Sequence, residues 1–559
     1  MENHKYRPDF ENPEVWTLGD RWYLEPFSTN PGGLVTVLKN MPPELVGALC
    51  SRASRASQSL LRVFLEEYIY PIVNGKDKGL AEELDRTVNF LHAHGFKKIL
   101  NNQRAQAFYS KWLAQYGDDS IAQVTGTHLV FWGISQVAMK FLEDSRIGLA
   151  PIEKSTRFVN FGKKINGKYL YYRDPDMIDS PLGEEYVRVM DMLFDTYILA
   201  VEKLKVWLAS RFPDEKPSVV EKKAFDVARG FLPMSTLGQV AFYGNAQAFE
   251  YSINKCQKQN LGELRWIADS ARKELTEEIG SLLLRLDDDK THKYQEYLAS
   301  RRDKVVAERN RLIDEKQLIG WCFPGRTEVH LVDFNQDGEA DIVAGILFSY
   351  SSFTWDDLKR SAKEMSADDK RKVIAAYLEG RNARWQKVGR AFENAYLRFE
   401  IVMNAGAYRD LHRHRMLTQE RQLFTVFHGY DVPPEIEEAG LSPLLHHALE
   451  EVGQLHENIS KTLSQEHAQY ATTLFHRIRF YQFTNVRELF WECELRTTSQ
   501  GHPDYRKIEQ EKFRLFKEKY PLIAEFMLID MHEYDFARRG TEERIQKKEE
   551  ELKNKLKGS

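Results

Sequence analysis

Cysteine is scarce in this 559-residue chain: Cys50, Cys256, Cys322 and Cys493 stand far apart, with no CxxC pair. That spacing gives neither a disulfide framework nor a zinc site, so no metal centre is expected. Long apolar runs are missing too. None approaches the ~18–20 residues of a membrane-spanning helix, so no membrane partner is expected. The opening stretch MENHKYRPDFENPE is polar and charged, unlike a secretory leader. A reducing, cytoplasmic location is the resulting expectation. No charge sign dominates: 79 Lys and Arg face 83 Asp and Glu, a formal net charge of −4. Broad affinity for nucleic acid is therefore not expected, and any anion site must be built locally.

What is present is an ordinary globular composition, 42% hydrophobic and 29% charged, which excludes a disordered or collagen-like chain. The length argues for two to four domains. Residues 286–314 are rich in Asp, Lys and Arg with almost no Gly or Pro, and read as an exposed helix or helical linker. Phe323-Pro324-Gly325-Arg326 is a turn signal, and Val329 to Val332 a short strand. The same order of elements occurs on both sides. An early strand (Leu34 to Leu38; Val329 to Val332) precedes an alternating strand (Thr127 to Phe131; Ala395 to Glu400). A helix with an Arg-bearing end follows (Gly133 to Arg146; Gly406 to Arg415), and later an Asn in a similar setting (Asn245; Asn485). An internal duplication is the natural reading. We expect an α/β (α+β) chain with a first repeat at 20–285, a charged helical linker at 286–326, a second repeat at 327–537 and a charged helical tail at 538–559.

Several clusters could carry chemistry. Arg413-His414-Arg415, preceded by His412, is the densest cationic group, and its forks suit phosphate or carboxylate. A solvated helix end with basic residues against the dipole fits it equally. Glu153-Lys154-Ser155-Thr156-Arg157 combines hydroxyls with a fork donor, as a phosphate loop would, or is a helix start capped by Ser155 or Thr156. Arg229 lies between a helix and a Pro-led turn. Arg487 and Arg496, nine apart and about two and a half turns, can flank one groove or simply decorate a salt-bridged helix. Asp333 to Gly338 imitates a calcium loop, but Ala344 stands at its twelfth position, so a strand-to-helix turn is the better reading.

At Arg413-His414-Arg415 the chain resembles the flavin-dependent thymidylate synthases, whose signature is Arg-His-Arg, seven residues, then Ser, on a helix after an alternating strand. Their Asn-x-Arg and downstream Leu-Arg match Asn485-Val486-Arg487 and Leu495-Arg496 without a gap. Their Glu-x-Ser-x-Arg segment is similar to Glu153-Lys154-Ser155-Thr156-Arg157, but in the other repeat. Each repeat alone is damaged. The first has Asp144-Ser145-Arg146, one extra residue before Glu153, Asn245-Ala246-Gln247 and Lys255-Cys256 at the matching positions. The second has Leu423 and Thr425 for the family's Ser and Arg, and Gln469 where the first keeps Arg229. The losses are complementary.

The resemblance implies two tandem thymidylate synthase-like domains, each a twisted sheet flanked by long helices, fused as a pseudo-dimer that keeps one composite site. It implies reductive methylation of a dUMP-like nucleotide with FAD as cofactor and NADPH and methylenetetrahydrofolate as co-substrates. By it, Arg413, His414 and Arg415 face the flavin and Asn485 and Arg487 grip the rest of the FAD, with Glu153 and Ser120 on the cofactor side. Glu153, Lys154, Ser155, Thr156, Arg157, Arg229 and Arg413 hold the nucleotide, and Arg496 is the catalytic residue beside the uracil. Two repeats per chain imply a homodimer in place of a tetramer. Trp491 stands where the family has a flavin-contacting Asn. Two other readings stay open: a flavin enzyme of this fold on another pyrimidine nucleotide, and a non-catalytic nucleotide- or RNA-binding relative.

Overall fold

The computed structural model describes residues 2–10, 14–100, 102–115, 119–145, 147–313, 328–534 and 536, with 547, 550 and 551. Asp118, Arg146, Cys322, the 314–326 end of the expected linker and nearly all of the 538–559 tail lie outside the described residues. Packing divides the chain into two units, residues 1–322 with 432–474, and residues 323–431 with 475–559.

In the first unit, β1 (Val35–Leu38), β2 (Gly126–Ser135), β3 (Leu149–Glu153) and β4 (Leu237–Asn245) form an antiparallel sheet in the order β1-β2-β4-β3. The register runs from Gly126 opposite Asn245 to Ser135 opposite Leu237, with an irregularity between Trp132 and Ile134. Gly133 sits there at φ +89, and a Cβ on it would press into the Phe10 ring. The expected helix from Gly133 therefore starts later. The bulge keeps the chain extended until Ser135, whose hydroxyl accepts the Ala138 N–H and opens α1 (Gln136–Glu143). Tyr186, Met190, Phe194, Tyr197, Val201, Leu204 and Leu208 recur at helical spacing along α2 (Gly183–Arg211) and are buried. Pro217 starts α3 (Pro217–Ala228), where its missing N–H costs nothing. That helix runs into the tight turn Arg229–Phe231. Asn245 ends β4 and caps α4 (Ala246–Gln257), which packs on α5 (Gly262–Ile279). The charged stretch forms the helix Asp289–Leu312, with only Gln295 buried.

In the second unit, β5 (Glu328–Phe334), β6 (Tyr396–Asn404), β7 (Thr418–Arg421) and β8 (Arg477–Asn485) repeat the topology, in the order β5-β6-β8-β7. Tyr396 opposes Asn485 as Gly126 opposes Asn245. Asn335 accepts the Asp337 N–H in a strand-to-helix turn that leads to the helix Gly338–Phe348. Asn404 caps α6 (Ala405–Leu411), as Ser135 caps α1. α7 (Ser442–Thr462) lies within the second repeat by sequence but belongs to the first unit, where it packs on α2. Asn485 caps α8 (Val486–Arg496), and α9 (Pro503–Lys519) packs on α8. Identical strand order and equivalent caps make the duplication a property of the fold. Among the described residues, no helix is long and apolar enough to cross a membrane.

Candidate functional site

The first group of expected residues lies on the loop after β3. No helix starts at Ser155 or Thr156. The loop is fixed by the Ser155 N–H, which donates to the Ser54 carbonyl at 2.9 Å, and Ser155 Oγ accepts the Arg157 N–H at 3.3 Å. Thr156 is buried. Arg157 donates in a bidentate pair to Asp226, both contacts 2.9 Å, and Arg229 Nε stands 3.5 Å from the same carboxylate. One acidic group on α3 thus gathers both arginines, with the planar fork geometry that suits a carboxylate or phosphate.

Glu153 and Lys154 point elsewhere. Glu153 closes β3 opposite Val240 and accepts Lys140 Nζ at 3.0 Å, with Glu143 on the same ammonium at 2.6 Å. All three are buried. The Lys154 ammonium donates to the Ser57 and Gln58 carbonyls at 3.1 and 2.9 Å and lies 4.3 Å from the Trp132 ring centroid. Burial pulls its pKa down to about 7. Both residues hold the loop from behind. Ser120 begins the short helix Ser120–Gln123 and is exposed, beside Asp119, which pairs with Arg285.

The second group lies on the loop after α6 and along α8. Helix α6 stops at Leu411, so Arg413-His414-Arg415 is a loop motif and not the helical one expected. The His414 N–H donates to the Leu411 carbonyl at 3.1 Å, tightening the exit. Arg413 and Arg415 are exposed and His414 between them is buried. Arg496, the last residue of α8, donates through Nε to His414 Nε2 at 2.9 Å. Nε2 must therefore accept, which puts the ring proton on Nδ1, 3.1 Å from Glu488 Oε1. Burial holds the His414 pKa below its ordinary value, favouring this neutral form. The imidazole thus orients Arg496, whose guanidinium also lies 5.6 Å from the Tyr505 ring centroid.

Asn485 Oδ1 accepts the Glu488 N–H at 2.9 Å as the α8 cap. Arg487 donates to the Val388 carbonyl at 3.1 Å and to Glu393 at 2.8 Å, and stays partly exposed. Trp491 carries the Lys387 ammonium on its ring face. Beneath α8 the buried Lys512 ammonium bridges Gln482 at 2.8 Å, Glu492 at 2.5 Å and Glu509 at 3.1 Å.

The two repeats differ at equivalent positions. Gln123 and Gln247 stand where the second repeat has Glu393 and Arg487, and a neutral amide contact of 3.0 Å replaces the ion pair. Cys256 stands at the place of Arg496 and is buried against an apolar cavity lined by Leu129, Phe131, Phe249 and Ile253. The first repeat thus has no cation at that position.

Sequence reading missed Asp226 and Glu488. Both had a signal. Asp226 precedes Arg229 by three residues on one helix face, and Asn485 with Glu488 has the spacing of a capping box.

The family model described as thymidylate synthase complementing protein matches the chain twice, over residues 75–279 and 330–522. A UPF0159 protein of Chlamydia pneumoniae is 33% identical over 541 residues, covering 95% of this chain and 98% of that protein. A UPF0159 protein of Chlamydia muridarum is 33% identical over 533 residues, 93% and 97% of the two chains. One from Thermoplasma acidophilum is 28% identical over 482 residues, 79% and 93%. With the domain matched in both repeats and the two sheets wound alike, the chain belongs to the flavin-dependent thymidylate synthase (thymidylate synthase complementing protein) family, as a tandem member.

Proposed function

We propose that the chain performs the reductive methylation of dUMP to thymidylate, with FAD as cofactor and methylenetetrahydrofolate and NADPH as co-substrates. One observation supports this reading: residues that match the family's motifs form a single set, divided between the repeats. Arg157 and Arg229, gathered by Asp226, come from the first repeat. Arg413, Arg415, Arg487 and the His414-oriented Arg496 come from the second.

The donor set fits the groups it would hold. Exposed Arg413 and Arg415 and the partly exposed Arg487 would grip FAD, since guanidinium forks match phosphate oxygens. FAD, when bound and reduced by NADPH, would supply the hydride. Arg157 and Arg229, with the Ser155 and Thr156 hydroxyls, would hold the nucleotide phosphate. Arg496 would favour the N3-deprotonated uracil, because a nearby cation lowers that pKa. Two chains, carrying four repeats, would make the working assembly.

Rescue of a thymidine-requiring bacterial strain tests the reading. Growth with the wild-type chain and none with Arg496→Ala is expected. Failure of a well-expressed, flavin-loaded wild-type chain would overturn it. Trp491, with Lys387 on its ring face, departs from the family's site, and the second reading is a flavin enzyme of this fold on another pyrimidine nucleotide. Yellow protein that oxidises NADPH yet makes no thymidylate would select it.

A further inference from the structure

Asp174, Asp176 and His467, from distant parts of the sequence, bring three ligand atoms within 4.8 Å of one another inside the first unit. Asp174 is fully buried. Its Oδ1 accepts the N–H groups of Asp176 and Met177 at 3.0 and 3.3 Å, capping the short helix Pro175–Ile178. Its Oδ2 is buried with no hydrogen-bond partner. His467 is buried as well; Ser464 Oγ meets its Nδ1 at 2.8 Å, and Nε2 is a second buried atom without a partner. Nε2 lies 3.9 Å from Asp174 Oδ1, too far for a hydrogen bond. Asp176 accepts Lys5 Nζ at 3.0 Å on one oxygen and the Tyr6 hydroxyl at 2.9 Å on the other. Each of those oxygens keeps a further lone pair.

Buried polar atoms are paired as a rule, and an unpaired carboxylate oxygen and an unpaired imidazole nitrogen in one buried cluster need a reason. A further carboxyl lies nearby, and Lys5 is the cation that meets the cluster at Asp176. Glu263, held by Ser135 and Tyr470, is close enough for Asp174 to act on it electrostatically. We propose that Asp174, Asp176 and His467 bind a divalent first-row cation, zinc or manganese, with water completing its shell. One imidazole and two carboxylates are a donor set that such ions accept. Ser464 plays the outer part: its Oγ can accept the proton of Nδ1, the tautomer in which Nε2 is available to a metal. The ion would tie the turn ahead of α2 to the Gln465–Ala468 helix, a structural role independent of the thymidylate reading.

Full-length protein stripped with a chelator and desalted is incubated with Zn2+ or Mn2+ alone; retained metal is measured by mass spectrometry and Tm by calorimetry. About one equivalent per chain and a raised Tm are expected, with both effects lost in His467→Gln and Asp174→Asn. Ser464→Ala should weaken affinity about 10- to 100-fold. His467→Gln, which keeps volume and polarity, decides the matter if Asp174→Asn does not fold. Retention below about a tenth of an equivalent, or equal retention in His467→Gln, would overturn the site.

Discussion

Arg496 donates through Nε to His414 Nε2 at 2.9 Å, and Glu488 meets the other ring nitrogen at 3.1 Å. The most buried member of the Arg-His-Arg motif therefore acts through the arginine at the end of α8. A misplaced guanidinium loses more in the transition state than in binding, because orientation counts most where charge develops.

His414→Ala should lower kcat for thymidylate formation about 100-fold, with a smaller change in KM for the nucleotide. Glu488→Gln, which keeps an acceptor for Nδ1–H, should cost less. Steady-state kinetics on both variants, with folding checked by circular dichroism, tests this. A kcat for His414→Ala close to wild type would remove the positioning role.

Asp226→Asn leaves two buried guanidiniums facing each other without their shared carboxylate. Breaking such a pair from one side costs about 3–5 kcal/mol, which denaturant unfolding would read as a lowered midpoint. Arg229→Ala should weaken dUMP binding about 10- to 100-fold by calorimetric titration, the worth of one charge-assisted hydrogen bond. Unchanged affinity would take Arg229 out of the phosphate site.

Lys154 gives a stability signature in pH. Its folded pKa is pulled to about 7, below the ordinary lysine value of 10.5. Between those values the unfolded chain binds the extra proton, so this group makes stability rise with pH from about 7 to about 10.5, by up to roughly 1.4 kcal/mol per pH unit. Below about 7 both states carry the proton, so the penalty on the folded state is complete and stability no longer changes with pH through this group. Lys154→Met should flatten the rise between pH 7 and 9, while nucleotide affinity stays as it was. Parallel Tm–pH curves for the two proteins would contradict this environment for Lys154.

The duplicated architecture was legible because it rests on local signals: alternating strands, and the caps Asn245 and Asn485 at matching points. The helix under Arg-His-Arg was over-extended because the exit at Leu411 depends on a buried His414, and its partner Glu488 is 74 residues away. By resemblance Glu153 belongs to the cofactor and nucleotide site; its fully buried partner Lys140 is settled only by packing. Asp174 and His467 lie far apart in the chain, so no spacing rule could join them.

Tritium release from 5-tritiated dUMP, in the presence of methylenetetrahydrofolate and NADPH, tests the divided complement most directly. Wild-type, Arg229→Ala and Arg496→Ala chains, each loaded with FAD, are compared. Release by the wild type, with a loss of about 100-fold or more in each variant, is expected, since one change falls in each repeat. No release by flavin-loaded wild type, or undiminished release by either variant, would contradict it.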